Sequence, residues 1–376
     1  MKTKLLEYQN IDCRKFNGYK PCEPYKVCPC ADPEPCGITI LIVNLDFIGD
    51  VLMTTAMLPA IKRTYPVSTI HWITRKNAVP VLMNNPYIHK VWEWTSENRM
   101  ILRHMEFDLV LNGDKNLDSA AFTMSVSTGC HRGFGINSRG AIIPLNKEAL
   151  YNFRMGLDDE LKFRKNTRTG LDILGETWKV DYRRDEYVLE LTQEEQAFCR
   201  EYMEANSITG RGVIGFNTGC SNTFPLKKLG IDQHAALIDR LHARYQDAVI
   251  ALVGGKEDTE RNREIAQKAN APVLQTPTDQ GLRRGIVYEN ICHVVVSGDT
   301  LGMHIGIGLK KQVVAWFGIS CSVEIDLFGR GEKIQSPLDC SPCWRKTCSH
   351  RRCITEMDLD LLYSKICSCY ERTQTT

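Results

Sequence analysis

Apolar, β-branched runs recur along the chain, and most are followed by a stretch of helical period. Residues 38–45 (ITILIVNL) are apolar almost without interruption, which suits a parallel strand buried on both faces rather than a half-exposed one. A turn over 46–50 and a helix over 51–66 (VLMTTAMLPAIKRTYP) follow. Residues 68–76 read as a strand, 77–86 as a short helix and 107–114 as a strand. The second half repeats the pattern, with strands at 212–219, 248–255, 291–299 and 312–318 and helices at 231–245 and 257–269. Repeated β-α-β units predict an α/β fold with doubly wound parallel sheets. The chain turns polar over 190–212, so we expect domains at 38–205 and 206–376 with a ligand cleft between them.

Composition narrows the class. The 376 residues are 43% hydrophobic with a net charge of +2. That is ordinary for a globular protein and lacks the basic excess of a nucleic-acid binder. No apolar run reaches the ~20 residues that span a bilayer. The opening MKTKLLEYQNIDCRKF has no apolar core and does not read as a signal peptide, which predicts a cytoplasmic protein. Sixteen cysteines change the picture at the ends. Five lie between Cys13 and Cys36 and six between Cys340 and Cys369, so residues 1–37 read as a separate cysteine- and proline-rich segment. In a reducing compartment, such clusters suit metal ligation better than disulfides.

Candidate chemistry gathers at the strand ends, where open parallel sheets bind ligands and helix N-termini favour anions. Asp50, in Asp46-Phe-Ile-Gly-Asp50, is placed to act as a general base on a hydroxyl, the competing role being a helix cap. The loop 218–229 (TGCSNTFPLKKL) offers Thr218 and either Lys227 or Lys228 to a diphosphate. After Gly254-Gly255, Glu257 or Asp258 can accept from a ribose or a base. The segment 294–309 (VVVSGDTLGMHIGIGL) puts Asp299, Thr300 and His304 at the start of a glycine-rich helix, where close packing or ligand approach must compensate for the glycines.

These four blocks, in this order, resemble glycosyltransferase family 9, the lipopolysaccharide heptosyltransferases and their relatives, over residues 38–365. The resemblance implies a GT-B fold, with two Rossmann-like domains facing a cleft. It also implies inverting, metal-independent transfer of a sugar from a nucleotide-diphosphate donor, typically ADP-heptose. Asp50 matches the family's proposed base. Lys227 matches its donor-contacting lysine, although Leu229-Gly230 stands where members carry Trp-Pro. Asp299, Thr300, Gly302 and His304 match the diphosphate- and sugar-binding block, with Leu301-Gly302 in place of Gly-Pro or Gly-Gly. Glu257 matches an acidic residue more loosely. The implied acceptor is lipopolysaccharide core or a related glycan, with a protein hydroxyl as the alternative and a non-catalytic nucleotide-sugar sensor as a third reading. Oligomers and contact with the inner face of the membrane are compatible with the resemblance.

The cysteine segments carry a separate expectation. Cys340, Cys343, Cys348 and Cys353 have the spacing of a tetrahedral zinc or iron site, and family relatives carry a similar motif. Cys13, Cys22, Cys28, Cys30 and Cys36 allow a second metal site, and iron–sulfur ligation fits both segments. Both sites are expected to be structural, with no catalytic metal.

Overall fold

A computed structural model describes residues 12–28, 30–221 and 223–374. The first eleven residues, which carry most of the signal-peptide reading, and Asn222 of the lysine loop lie outside the described residues. Two six-stranded sheets form the frame. In the first, β1 (Ile38–Val43), β2 (Ser68–Thr74), β3 (Lys90–Glu93), β4 (Leu109–Asn112), β5 (His131–Ile136) and β6 (Ile142–Pro144) lie in the order β3-β2-β1-β4-β5-β6. All neighbours are parallel except the antiparallel β5–β6 pair.

The second sheet contains β7 (Val213–Asn217), β8 (Val249–Val253), β9 (Leu274–Gln275), β10 (Val294–Gly298), β11 (Gln312–Phe317) and β12 (Gly331–Gln335). They lie in the order β9-β8-β7-β10-β11-β12, all parallel. Each sheet therefore has the doubly wound order in which the winding reverses between its first and fourth strands. The central strands are buried along most or all of their length, which explains their uninterrupted apolar sequences. The α/β, GT-B-like architecture expected from the sequence is thus present.

Two local expectations change. The helix read over 51–66 is broken into α1 (Ile48–Thr54) and α2 (Met57–Thr64). Pro59 has no N–H to return to the Thr55 carbonyl, and the chain tightens there, with Leu58 N–H donating to Thr55 O at 3.0 Å. The polar stretch 190–212, where the domain boundary is expected, is largely helical. It folds as α3 (Gln193–Ala205), opened by a capping box in which Thr192 and Glu195 satisfy each other's backbone N–H groups. The remaining helices used below are α4 (Ile231–Arg244), α5 (Thr259–Lys268), α6 (Leu282–Glu289), α7 (Leu301–Gly308) and α8 (Leu359–Gln374).

The glycine-rich α7 is explained by packing. A Cβ on Gly302 would lie 2.3 Å from the Asn217 side chain, one on Gly306 3.1 Å from Val295, and one on Gly308 3.1 Å from Leu189. The glycines let α7 settle onto β7 and β10 and onto the chain joining the halves, and α1 packs against α7 from the first half. One continuous apolar core accordingly includes Ile40 and Leu52 as well as Val295 and Ile305. Gly302→Ala is expected to lower stability by about 1–3 kcal/mol, the usual cost of overpacking. Gly255→Ala, whose Cβ meets nothing within 4 Å, should change a urea midpoint far less. Equal midpoints for the two variants would refute the packing account.

Candidate active site

The carboxyl ends of both sheets open onto one cleft of about 1150 Å³. Asp46, Asp50 and their loop line it from the first half, and Lys227, Glu257, Asp299, Thr300, Gly302 and His304 line it from the second. Six of the seven predicted donor-site residues therefore share a cavity with the predicted base. Thr218 does not. It is fully buried, and its hydroxyl donates to Asn262 Oδ1 at 2.5 Å, so it anchors the loop to α5 instead of lining the cleft. Asp258 is also structural. It accepts from Gly255 N–H at 3.0 Å and fills the space beside Gly219, where a Cβ would lie 1.7 Å from its Oδ1. Glu257 is left as the exposed carboxylate of that loop.

Asp50 sits in the first turn of α1, whose cap is Phe47 with no side-chain bond. It is therefore not a capping residue. It keeps some exposure to the cleft, yet protein packs densely around its carboxyl. That burial, reinforced by the negative charges of Asp46 and Asp299, pushes its pKa up to about 7 against the pull of Lys227. Across the cleft Lys227 Nζ bonds Asp299 Oδ2 at 2.6 Å, both side chains being 12% exposed. Burial alone would raise Asp299, but the Lys227 ammonium, then His304 and the hydrogen bond from Lys227, outweigh it and hold the carboxyl below the usual range. Of the two candidate lysines, Lys227 is the one in the cleft. Its carbonyl is fixed by Trp316 Nε1 at 2.9 Å.

Sequence reasoning missed several neighbours. Asp114, just past the end of β4, accepts from the Leu45 N–H and from Asn44 Nδ2 (2.6 Å). Asn116 Nδ2 donates to Asp46 at 2.6 Å. Burial, then the charge of Asp46, raises Asp114 well above an ordinary carboxylate. Its place at a strand end was the available signal. Trp344 gave none, because it lies inside the cysteine motif. Its ring lines the cleft at 5.3 Å from Phe224, with Lys227 Nζ 5.0 Å and Lys162 Nζ 4.7 Å from its centroid. Phe47 meets Phe224 at 5.9 Å, so an aromatic wall runs beside Asp50.

The profile of glycosyltransferase family 9 (heptosyltransferase) matches residues 98–354, a span that includes Lys227, the Asp299–His304 block and Trp344. The chain belongs to glycosyltransferase family 9. It is a glycosyltransferase, and its fold is shared with solved members. A family 9 glycosyltransferase from Veillonella parvula is 16% identical, with a TM-score of 0.72 over 89% of this chain and 98% of that one. The E. coli ADP-heptose LPS heptosyltransferase II is 16% identical, with a TM-score of 0.65 over 90% and 100%. The dodecameric, iron-containing heptosyltransferase TibC of E. coli, solved with ADP-D-β-D-heptose, is 8% identical, with a TM-score of 0.53 over 90% and 77%. No curated protein matches the chain.

The two cysteine segments differ in how closely this family 9 chain gathers its thiols. Among the described residues, no three His, Cys, Asp or Glu side chains converge to hold a metal ion. All sixteen cysteines are free thiols. Cys340, Cys343, Cys348 and Cys353 are neighbours, since burial and then the other three thiols raise Cys353 to about 11. Cys353, however, is turned into the core, where a Cβ on Gly318 would lie 3.2 Å from its Sγ. Cys340 is exposed. Nor do Cys13, Cys22, Cys28, Cys30 and Cys36 form a ligand shell. Cys22, Cys28 and Cys30 are exposed, while Cys13 bridges to Pro35 and Cys36 O accepts from Thr69 Oγ1 at 2.7 Å. That segment docks where β1 and β2 begin, at the end of the sheet away from the cleft. No helix among the described residues is long and apolar enough to cross a membrane.

The Asp50 environment sets a stability signature. A carboxyl raised to about 7 binds its proton more tightly folded than unfolded, so its cost to stability grows as pH rises from the ordinary carboxylate range to about 7. Asp50→Asn is expected to melt higher than the parent at pH 8, with the gap closing toward pH 4. A gap that is unchanged across that range would contradict the raised carboxyl.

Proposed function

We propose that the cleft transfers a heptose from ADP-heptose to an acceptor hydroxyl with inversion. The acceptor is lipopolysaccharide core or a related glycan. The observation that carries this reading is the pairing of Asp50, a carboxyl poised near neutrality, with Lys227 and the start of α7 across the same cavity. A base for a sugar hydroxyl works best when its pKa lies near the working pH. The departing diphosphate needs positive or dipolar groups opposite it, which Lys227 and the α7 N-terminus supply. Heptosyltransferase II, named for ADP-heptose, and TibC, solved with ADP-D-β-D-heptose, support the choice of donor.

In this reading Asp50 takes the acceptor proton as the hydroxyl oxygen attacks the anomeric carbon. The bond to the diphosphate breaks on the opposite face, and the leaving oxygens settle against Lys227 and the backbone N–H groups in the first turn of α7, from Leu301 on. Asp299 holds Lys227 in place through the 2.6 Å ion pair. His304, which burial keeps neutral with its pKa down to about 4, contributes a neutral donor. Phe47, Phe224 and Trp344 offer ring faces to the acceptor sugar.

Two measurements test the assignment. With ADP-heptose, kcat/KM should rise with pH through about 7 as Asp50 loses its proton, and Asp50→Asn should bind ADP yet give no transfer. A flat profile from pH 5 to 9 would remove Asp50 as the base. Lys227→Met should lower kcat/KM for the donor by roughly tenfold to a hundredfold, the loss expected for a charge-assisted contact. Unchanged kinetics would assign Lys227 a purely structural part.

A further inference from the structure

Tyr187 lies on the chain between the two sheets and is 3% exposed, but no sequence motif singles it out. Its ring stacks on His304 at a centroid distance of 6.0 Å and an angle of 18°, and its Oη lies 3.2 Å from His304 Nδ1. On the other side of the imidazole stands Gly49, where a Cβ would lie 2.6 Å from His304 Cδ2 and 3.1 Å from Nε2. The histidine of the second half is thus clamped between two residues of the first. Its Nε2 edge is turned toward the loop that carries Asp50.

From this geometry we infer that Tyr187 is a positioning residue that fixes His304 in the Nε2–H tautomer, so that the imidazole presents a donor to an anionic oxygen of the bound nucleotide diphosphate. The proton count leads there. A buried phenol has one proton to place, and His304 Nδ1 is the one acceptor within reach of Tyr187 Oη among the described residues. Nδ1 must then be the unprotonated nitrogen. A neutral imidazole carries its single proton on the other nitrogen, Nε2, which lies beside Gly49 of the cleft-lining Asp50 loop. Burial favours both neutral forms, keeping the Tyr187 phenol protonated and the His304 ring uncharged. Without the phenol the tautomers would be free to exchange, and part of the population would turn an acceptor toward the diphosphate. Tyr187 touches neither donor nor acceptor in this scheme and acts through His304. The ligand half of the inference rests on the donor reading given above, whereas the tautomer does not.

The test is nitrogen NMR of the full chain labelled with ¹⁵N-histidine, with His304→Gln identifying the signal. The parent protein should show His304 protonated at Nε2 alone, and Tyr187→Phe, which keeps the ring and loses the hydroxyl, should show a mixture of tautomers. The same variant should lose about fivefold to tenfold in kcat/KM with ADP-heptose, the value of one neutral hydrogen bond, at an unchanged melting temperature. A parent His304 protonated at Nδ1 or doubly protonated at pH 7.5 overturns the inference, and this result stands whether or not Tyr187→Phe folds. A Tyr187→Phe spectrum or rate equal to the parent's also overturns it. If the parent turns over no ADP-heptose, the donor reading fails, while the NMR result still decides the tautomer.

Discussion

The Lys227–Asp299 ion pair is the contact on which the charge balance of the cleft depends. Asp46, Asp50, Asp114, Asp299 and Glu324 all bear on one cavity, and burial raises four of them. Only Asp299 is held below the ordinary range, and the lysine beside it is the chief reason. Isolated buried carboxylates are expensive, and they neutralise themselves when no partner is present. The site therefore sorts its acids into distinct states. Asp299 is ionised against Lys227, Asp46 and Asp114 are both pushed up by burial, and Asp50 is left near its midpoint. Without the ammonium that division would be lost, because among the described residues Lys227 is the one charge that pulls Asp50 downward.

Topology delivers those groups to one place. Each sheet reverses its winding between the strand that starts it and the fourth in sequence. Asp46 and Asp114 leave one reversal, and Lys227 and Asp299 leave the other. The two halves present these ends to each other through α1 and α7, whose close approach depends on glycines at 49 and 308. The strands and the four blocks were legible in the sequence because apolar runs and turn residues are local signals. The break at Pro59 was equally local and was under-read. The folding of 190–212 into α3 was hidden by its polarity, since its buried face is narrow and only Cys199 is fully covered.

The site was legible where chemistry and strand end coincided, at Asp50, Lys227, Asp299 and His304. It was illegible where a side chain reached the cleft from distant sequence. Tyr187 and Trp344 are 117 and 40 residues from His304 in the chain, and no spacing rule connects them. Thr218 shows the converse. It has the right residue type at the right strand end, but its hydroxyl finds a buried partner in Asn262 and turns away. The cysteine motif shows a different mismatch: its spacing spoke of metal ligands, but nothing in it announced that its loop places a tryptophan at the cleft.

The docking of the amino-terminal segment where β1 begins has a consequence in distance. Six strand residues at about 3.3 Å each put roughly 20 Å between that attachment and the carboxyl end of β1. At physiological ionic strength this is more than two screening lengths of about 8 Å. A change of charge on the thiols near Cys13 and Cys36 would be almost invisible to Asp50. Trp344, by contrast, ties the other cysteine loop directly to the cleft, its N–H and that of Cys343 both donating to Ile319 O at 2.8 and 2.9 Å. Chemistry at one end of the chain is insulated from the cleft by the length of a strand, and chemistry at the other is one residue away from it.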